Sequence, residues 1–202
     1  WVKGGGDCCR IAWGIRMAVM AIPKSIKYYT RREYYALEDA ADYKSDYYKG
    51  EIFAMSGGTA RHSLISANIA GELRHRLKGT PCRAYESNLR LYVKAADFIC
   101  YPDVGVYCGA LELDEEDIPG DTALNPKVLF EVLSKSTEGY DRGVKSEGYR
   151  RIPTLAAYVL VSQEAAHVEI YERQADGNWL LREVNGLESI LSIPALSIDL
   201  PL

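Results

Sequence analysis

The sequence predicts an α/β or α+β fold, in which a mixed β-sheet is flanked by helices. Three observations predict it. Alternating or continuous apolar runs recur as strand signals, chiefly after Leu89; the stretch Ala60 to Gly79 has helical spacing instead; and a second helix-like stretch, "EGYDRGVKSEGYRR", falls between strand signals rather than at an end. A chain of 202 residues, 48% apolar and 26% charged, has the composition of an ordinary folded domain and the length to bury a core. Its formal charge of -4 argues against indiscriminate coating of nucleic acid, although a local basic face is compatible with it.

Residues 1–26 read as an N-terminal extension. "WVKGGGDCCRIAWGIR" carries neither strand alternation nor a helical stripe, and a natural start is expected at Met17 or Met20. The apolar run Ile11 to Ile22 is interrupted by Arg16 and too short to span a bilayer, and it lacks a small-x-small cleavage site, so no membrane association is expected. One domain is placed over 27–202, because no repeat or linker divides it. Thr30 with Glu33 three residues on forms a capping box that opens a first short helix. "YYKGEIFAMSGG" reads as one strand carrying Glu51 and ending at Gly57-Gly58. Ile65, Ile69, Leu73 and Leu77 then line one face of a long helix, stopped at Gly79. Strands are expected at Leu89 to Val93, Phe98 to Cys108, Val128 to Ser134, Ala157 to Val161, Val168 to Glu172 and Trp179 to Val184. Pro153 closes the second main helix, and the acidic "LELDEEDIPGD" is expected to be a surface loop.

Five cysteines form no C-x-x-C pair, and three histidines are scattered, so a zinc site is excluded and the thiols read as buried or incidental in a reducing cytoplasm. A metal held by oxygen ligands stays open. The acids that point to one are Asp103 in "YPDVGVYCG" and Glu131 in "KVLFEVLSKS". Each sits in an otherwise apolar run, where an unpaired carboxylate costs several kcal/mol. Pro102 suggests that Asp103 lies on an edge or bulged strand. Alternation places Leu129, Glu131 and Leu133 on one face and Val128, Phe130 and Val132 on the other.

"KGEIFAMSGGTARHSLISANI", "YPDVGVY", "KVLFEVLSKSTEGYDRGVKSEGY" and "IPTLAAYVLVS", in that order, resemble the Uma-two family of restriction-endonuclease-like proteins, within the PD-(D/E)xK nuclease superfamily. The likeness covers roughly residues 29 to 195. It implies a restriction-endonuclease-like fold and a Mg²⁺-dependent endonuclease that hydrolyses DNA phosphodiesters, with Mn²⁺ as an alternative ion. Asp103 and Glu131 are implied as metal ligands with the Val132 carbonyl as a third, and Glu51 as an additional acid. The superfamily lysine two residues after the second acid is Leu133 here. Lys145 in "DRGVKSEGY" matches the lysine that the family carries on the following helix, with Lys135 as the nearer rival. Cutting both strands of a duplex implies a homodimer.

Each residue also has a plainer reading. Pro-Asp commonly makes a turn, a strand glutamate commonly faces a cross-strand cation, Glu51 beside Gly50 is commonly solvated, and a helical lysine is usually exposed. His62, in the first turn of the long helix, caps it or reaches the site. The fifteen tyrosines read as packing rather than base stacking. Against the nuclease stands an inactive nuclease-fold module that serves as a nucleic-acid or protein adaptor, and the two differ in whether Lys145 approaches the carboxylates.

Overall fold

The computed structural model describes residues 27–55, 57–118 and 120–202. The expected extension over 1–26 lies outside them. Helix α1 (Arg31–Asp39) opens with the expected capping box, with Thr30 and Glu33 each satisfying the other's backbone N–H. The chain next forms a hairpin of β1 (Ser45–Tyr48) and β2 (Glu51–Ala54), where a single strand was expected. Lys49 and Gly50 both take positive φ, 48° and 92°, which is the two-residue turn whose twist suits a tight hairpin. Helix α2 (Ala60–Arg76) follows, then β3 (Cys82–Glu86), β4 (Arg90–Val93), β5 (Phe98–Cys100), β6 (Val104–Cys108), β7 (Thr122–Ala123) and β8 (Pro126–Leu133).

After β8 the expected second helix is broken into three parts: α3 (Glu138–Tyr140), a π-turn (Asp141–Lys145) and α4 (Ser146–Tyr149). The chain ends with β9 (Ala157–Ser162), β10 (His167–Arg173), β11 (Trp179–Asn185) and the small hairpin β12 (Ile190–Ile193) and β13 (Ile198–Pro201).

The mixed α+β architecture is as expected, but the strands divide among sheets. One sheet runs β2-β1-β5-β4-β7, a second runs β11-β10-β9-β8-β6-β3, and β12-β13 stands apart. Strands β8 and β9 pair in parallel at the centre of the second sheet. The alternation read in β8 holds. Val128 and Phe130 pack with Ala70, Leu73 and Leu77 of α2 on one face, while Leu129 and Leu133 pack with Tyr149, Tyr158 and Phe98 on the other. The long helix therefore covers one side of the six-stranded sheet. The α3–α4 segment and the five-stranded sheet cover the other. Tyr34 and Tyr35 of α1 fill a third cluster with Tyr47, Tyr92 and Ile99, so these tyrosines pack as expected.

One expectation is refined and another corrected. The acidic loop after β6 lies at the surface as expected, but two of its acids turn inward: Asp114 accepts from Tyr35 Oη at 2.6 Å and from Arg31 at 3.1 Å, and buried Asp117 pairs with Arg90 at 3.1 Å. Its acids meet arginines that arrive from distant elements, which the loop's own composition does not reveal. Cys82 and Cys108 are not incidental thiols, since they face each other across β3 and β6 and are joined as a disulfide, while Cys100 is a buried free thiol.

Candidate active site

Asp103 sits where the chain leaves one sheet for the other. Strand β5 belongs to the five-stranded sheet and β6 to the six-stranded one, so Tyr101 to Asp103 is the crossover. Of the expected edge or bulged strand, the edge is corrected, since β6 lies between β8 and β3, while its register with β8 shifts between Val106 and Tyr107. Pro102 fits because its missing N–H is needed by neither ladder. The last register pair of β6 with β8 is Val104 opposite Phe130. Beyond it the Val132 N–H donates to Asp103 Oδ2 at 2.7 Å, and the Asp103 N–H reaches toward Glu131 Oε2 at 3.4 Å. In a strand the N–H and C=O of one residue point to the same edge, so the Val132 carbonyl also faces the Asp103 crossover, with no β6 residue opposite.

Glu131 is buried at 2% exposure, and Lys145 reaches it from the π-turn, Nζ to Oε1 at 3.0 Å. The same ammonium lies 3.2 Å from Asp141 Oδ1. Tyr149 Oη donates to Glu131 Oε1 at 2.8 Å. The extra residue of the π-turn lets both Asp141 and Lys145 face inward, a distortion that often marks functional helices. Lys135 is exposed in the turn after β8, and Leu133 is buried in the core, so of these three positions Lys145 alone approaches Glu131. His62 Nε2 of α2 meets Asp103 Oδ2 at 3.0 Å, an interaction that raises the histidine above its usual range.

Sequence reasoning missed Asp46. It lies on β1, is almost fully buried, and accepts from Tyr140 Oη at 2.9 Å, while its Oδ1 has no partner among the described residues. Asp46, Asp103, Glu131, Asp141 and Lys145 line one cleft of about 1260 Å³. Glu51 does not line it. By register Glu51 pairs with Tyr48 beside the hairpin turn, and Asp46 pairs with Phe53 farther from it. The fitting signal was weak, because Asp46 becomes an inward-facing acid only once the chain folds back at Lys49-Gly50.

The electrostatics are lopsided. Burial raises the carboxyls of Asp46 and Glu131 above the ordinary carboxylate range, and for Glu131 the neighbouring Asp103 and Asp141 add to the shift. Burial by itself would lower Lys145, but Glu131, Asp141 and Asp46 together raise it, so the ammonium stays charged. Four carboxylates thus share one lysine and a histidine. The described residues contain no ready-made group of three or more His, Cys, Asp or Glu ligands. Mg²⁺ does not require one, because it commonly takes one or two carboxylates and keeps several waters. Asp103, Glu131 and the Val132 carbonyl suit that demand, the unpaired Asp46 Oδ1 adds an acceptor in the same cleft, and the surplus negative charge suits a divalent cation.

The family described as "Uma2: Putative restriction endonuclease" matches residues 31–202. The chain belongs to the Uma2 family. Two uncharacterized Synechocystis proteins agree with this. One, slr1290, is 35% identical over 74% of this chain and 76% of its own length; the other, sll1609, is 33% identical over 83% of this chain and 93% of its own. A crystal structure of a "putative nuclease" from Anabaena variabilis superposes with a TM-score of 0.63 at 16% identity, covering 80% of this chain and 88% of that one. At that identity the likeness speaks for the fold, which is restriction-endonuclease-like. This Uma2 chain has no helix among its described residues long and apolar enough to cross a membrane.

Proposed function

We propose that this Uma2 protein is a Mg²⁺-dependent endonuclease that hydrolyses DNA phosphodiester bonds, with Mn²⁺ as an alternative ion. The observation that carries the reading is Lys145 at 3.0 Å from Glu131, in the lining of a cleft shared with Asp103. Position 133 has given up the usual lysine to the core, and a cation has been restored to the same carboxylate from another element. Asp103 and Glu131 hold the metal, with Val132 as the main-chain donor. A bound Mg²⁺ supplies charge stabilisation at the scissile phosphate and lowers the pKa of an attacking water. Lys145 places a fixed positive charge beside that phosphate. His62 orients Asp103, and the buried Asp46 acts as the additional acid, the role first expected of Glu51. The working form is a homodimer in the cytoplasm, although the Cys82–Cys108 bridge is a feature commoner in oxidising compartments.

The test compares DNA cleavage in Mg²⁺ and in chelator for wild type, Asp103→Asn, Glu131→Gln and Lys145→Ala. The two amide variants keep shape but lose the charge that holds a hard cation, so each should abolish cleavage and the Mg²⁺-dependent thermal shift. Lys145→Ala should slow turnover while retaining that shift. Wild-type cleavage that persists in chelator, or full activity in Asp103→Asn, overturns the mechanism. An inactive wild type that still binds DNA points to the adaptor instead.

A further inference from the structure

The cleft offers a duplex backbone few uncommitted cations. Lys44, His62, Arg74 and Lys145 line it, against five carboxylates. Lys145 is buried among the acids already described, and His62 meets Asp103. Arg74 is tied at 2.8 Å to Glu86, which lines the same cleft, while Lys44 donates to the neutral Ser87 carbonyl and Asn88 at 2.7 and 2.8 Å. Duplex DNA carries about one negative charge per 1.7 Å of axis, and proteins that grip it do so with several uncommitted Lys or Arg side chains.

What the cleft does expose is aromatic. Tyr43 is 64% and Phe53 48% exposed, and both line it. Phe53 is the direct cross-strand partner of Asp46, so the two Cβ atoms stand about 5 Å apart on the same face of the hairpin. Along with His62 and Arg74, α2 contributes the small side chains of Ser63, Ser66, Ala67 and Gly71, which leave room for a flat group. Exposed rings beside a phosphodiester site are equipment for stacking unpaired bases.

We propose that the substrate of this cleft is single-stranded DNA, with an unpaired base stacked on Phe53 and Tyr43. The proposal rests on the nuclease reading for its DNA substrate, goes beyond it in naming the strand state, and does not need the homodimer that duplex cutting calls for. Stacking then supplies recognition, and the phosphate that follows the stacked base lies next to the acids. Duplex DNA is disfavoured because its bases are already stacked on one another and present no free face to Phe53 and Tyr43.

The experiment measures fluorescence anisotropy of one labelled oligonucleotide, alone and annealed to its complement, in chelator and in Ca²⁺, for wild type, Phe53→Ala, Tyr43→Ala and Phe53→Trp. Both rings are solvent-exposed, so the fold should survive their loss. Single strands should bind at least about 10-fold tighter than duplex. Each alanine variant should weaken single-strand binding by about 5- to 100-fold, as removal of one stacking ring does, and Phe53→Trp should restore it. Duplex binding equal to or tighter than single-strand binding, or alanine variants that bind single strands as wild type does, overturns the proposal. Cleavage of both forms in Mg²⁺ separates the two readings. Efficient cutting of duplex in preference to single strands sinks this inference and leaves the nuclease standing, whereas tight single-strand binding without any cutting does the reverse.

Discussion

Asp117 and Glu131 are almost equally hidden from solvent, at 4% and 2% exposure, yet they sit in opposite kinds of charge environment. In the Asp117 set every carboxylate meets an arginine. Arg90 bridges Asp117 and Asp39, Arg31 takes Asp114, and Tyr35 donates to Asp114. None of these residues lines the cleft. Around Glu131 the pairing is incomplete: Asp46 forms no ion pair among the described residues, one of its oxygens lacks a hydrogen-bond partner there, and the group borders open space. Burying charge is costly in both regions, but only the second has an unmatched acid lining a cleft. A buried acid is thus informative about function through incomplete pairing and access, not through its presence.

The contrast can be broken most forcefully at Arg90. Arg90→Ala strands Asp117 without its cation and should cost about 3–5 kcal/mol in a urea melt, with no dependence on Mg²⁺. A variant as stable as wild type would remove the claim that this set is structural. Lys145→Met should cost less, about 1–3 kcal/mol in chelator, because the acids it leaves line a cleft through which water and ions can reach them. Added Mg²⁺ should recover part of that loss, since a ligand bound only by the folded state stabilises it. No recovery would mean that the acids do not bind the ion.

Glu131→Gln should have the opposite sign without metal, leaving stability unchanged or raised by on the order of 1 kcal/mol, because Lys145 keeps Asp141 and Asp46 while a repulsion is relieved. A large loss would place Glu131 with the structural acids. The smallest effect concerns Glu169, which Arg142 holds below the usual carboxylate range through contacts of 2.6 Å. A lowered folded pKa gives stability that is fully present above the unfolded value of about 4.5 and lost as pH falls through the folded one. Arg142→Met should therefore be slightly less stable than wild type at neutral pH, and the two curves should converge in acid. Parallel curves down to the lowest pH reached would dismiss that pair.

Features set by local pattern were legible in the sequence. The Thr30–Glu33 cap, the face of α2 and the alternation through Val128 to Leu133 all depend on residues a few positions apart. Asp103, Glu131 and Lys145 were also singled out in advance, and the fold brings them to one cleft. What could not be read depends on distant partners or on a change of direction. Asp46 was hidden by the reversal at Lys49-Gly50, and Glu51 was named in its stead. The Cys82–Cys108 bridge spans a separation of 26 residues. The π-turn leaves no mark in a periodicity that a single extra residue barely disturbs, and the buried state of Asp114 and Asp117 is decided by arginines far away in the chain.

Placing the proposed catalytic ammonium on the π-turn, and not on β8, has a consequence for how the proposed activity would be lost on heating. A lysine on a central strand departs only when the sheet comes apart. Lys145 rides on a segment of a few short turns, Glu138–Tyr149, seated on the sheet by Tyr149 and its neighbours. Such a segment can lift away at a free-energy cost below that of global unfolding. On gentle warming, competence is then surrendered before architecture, and a molecule that still looks folded to circular dichroism has already gone silent.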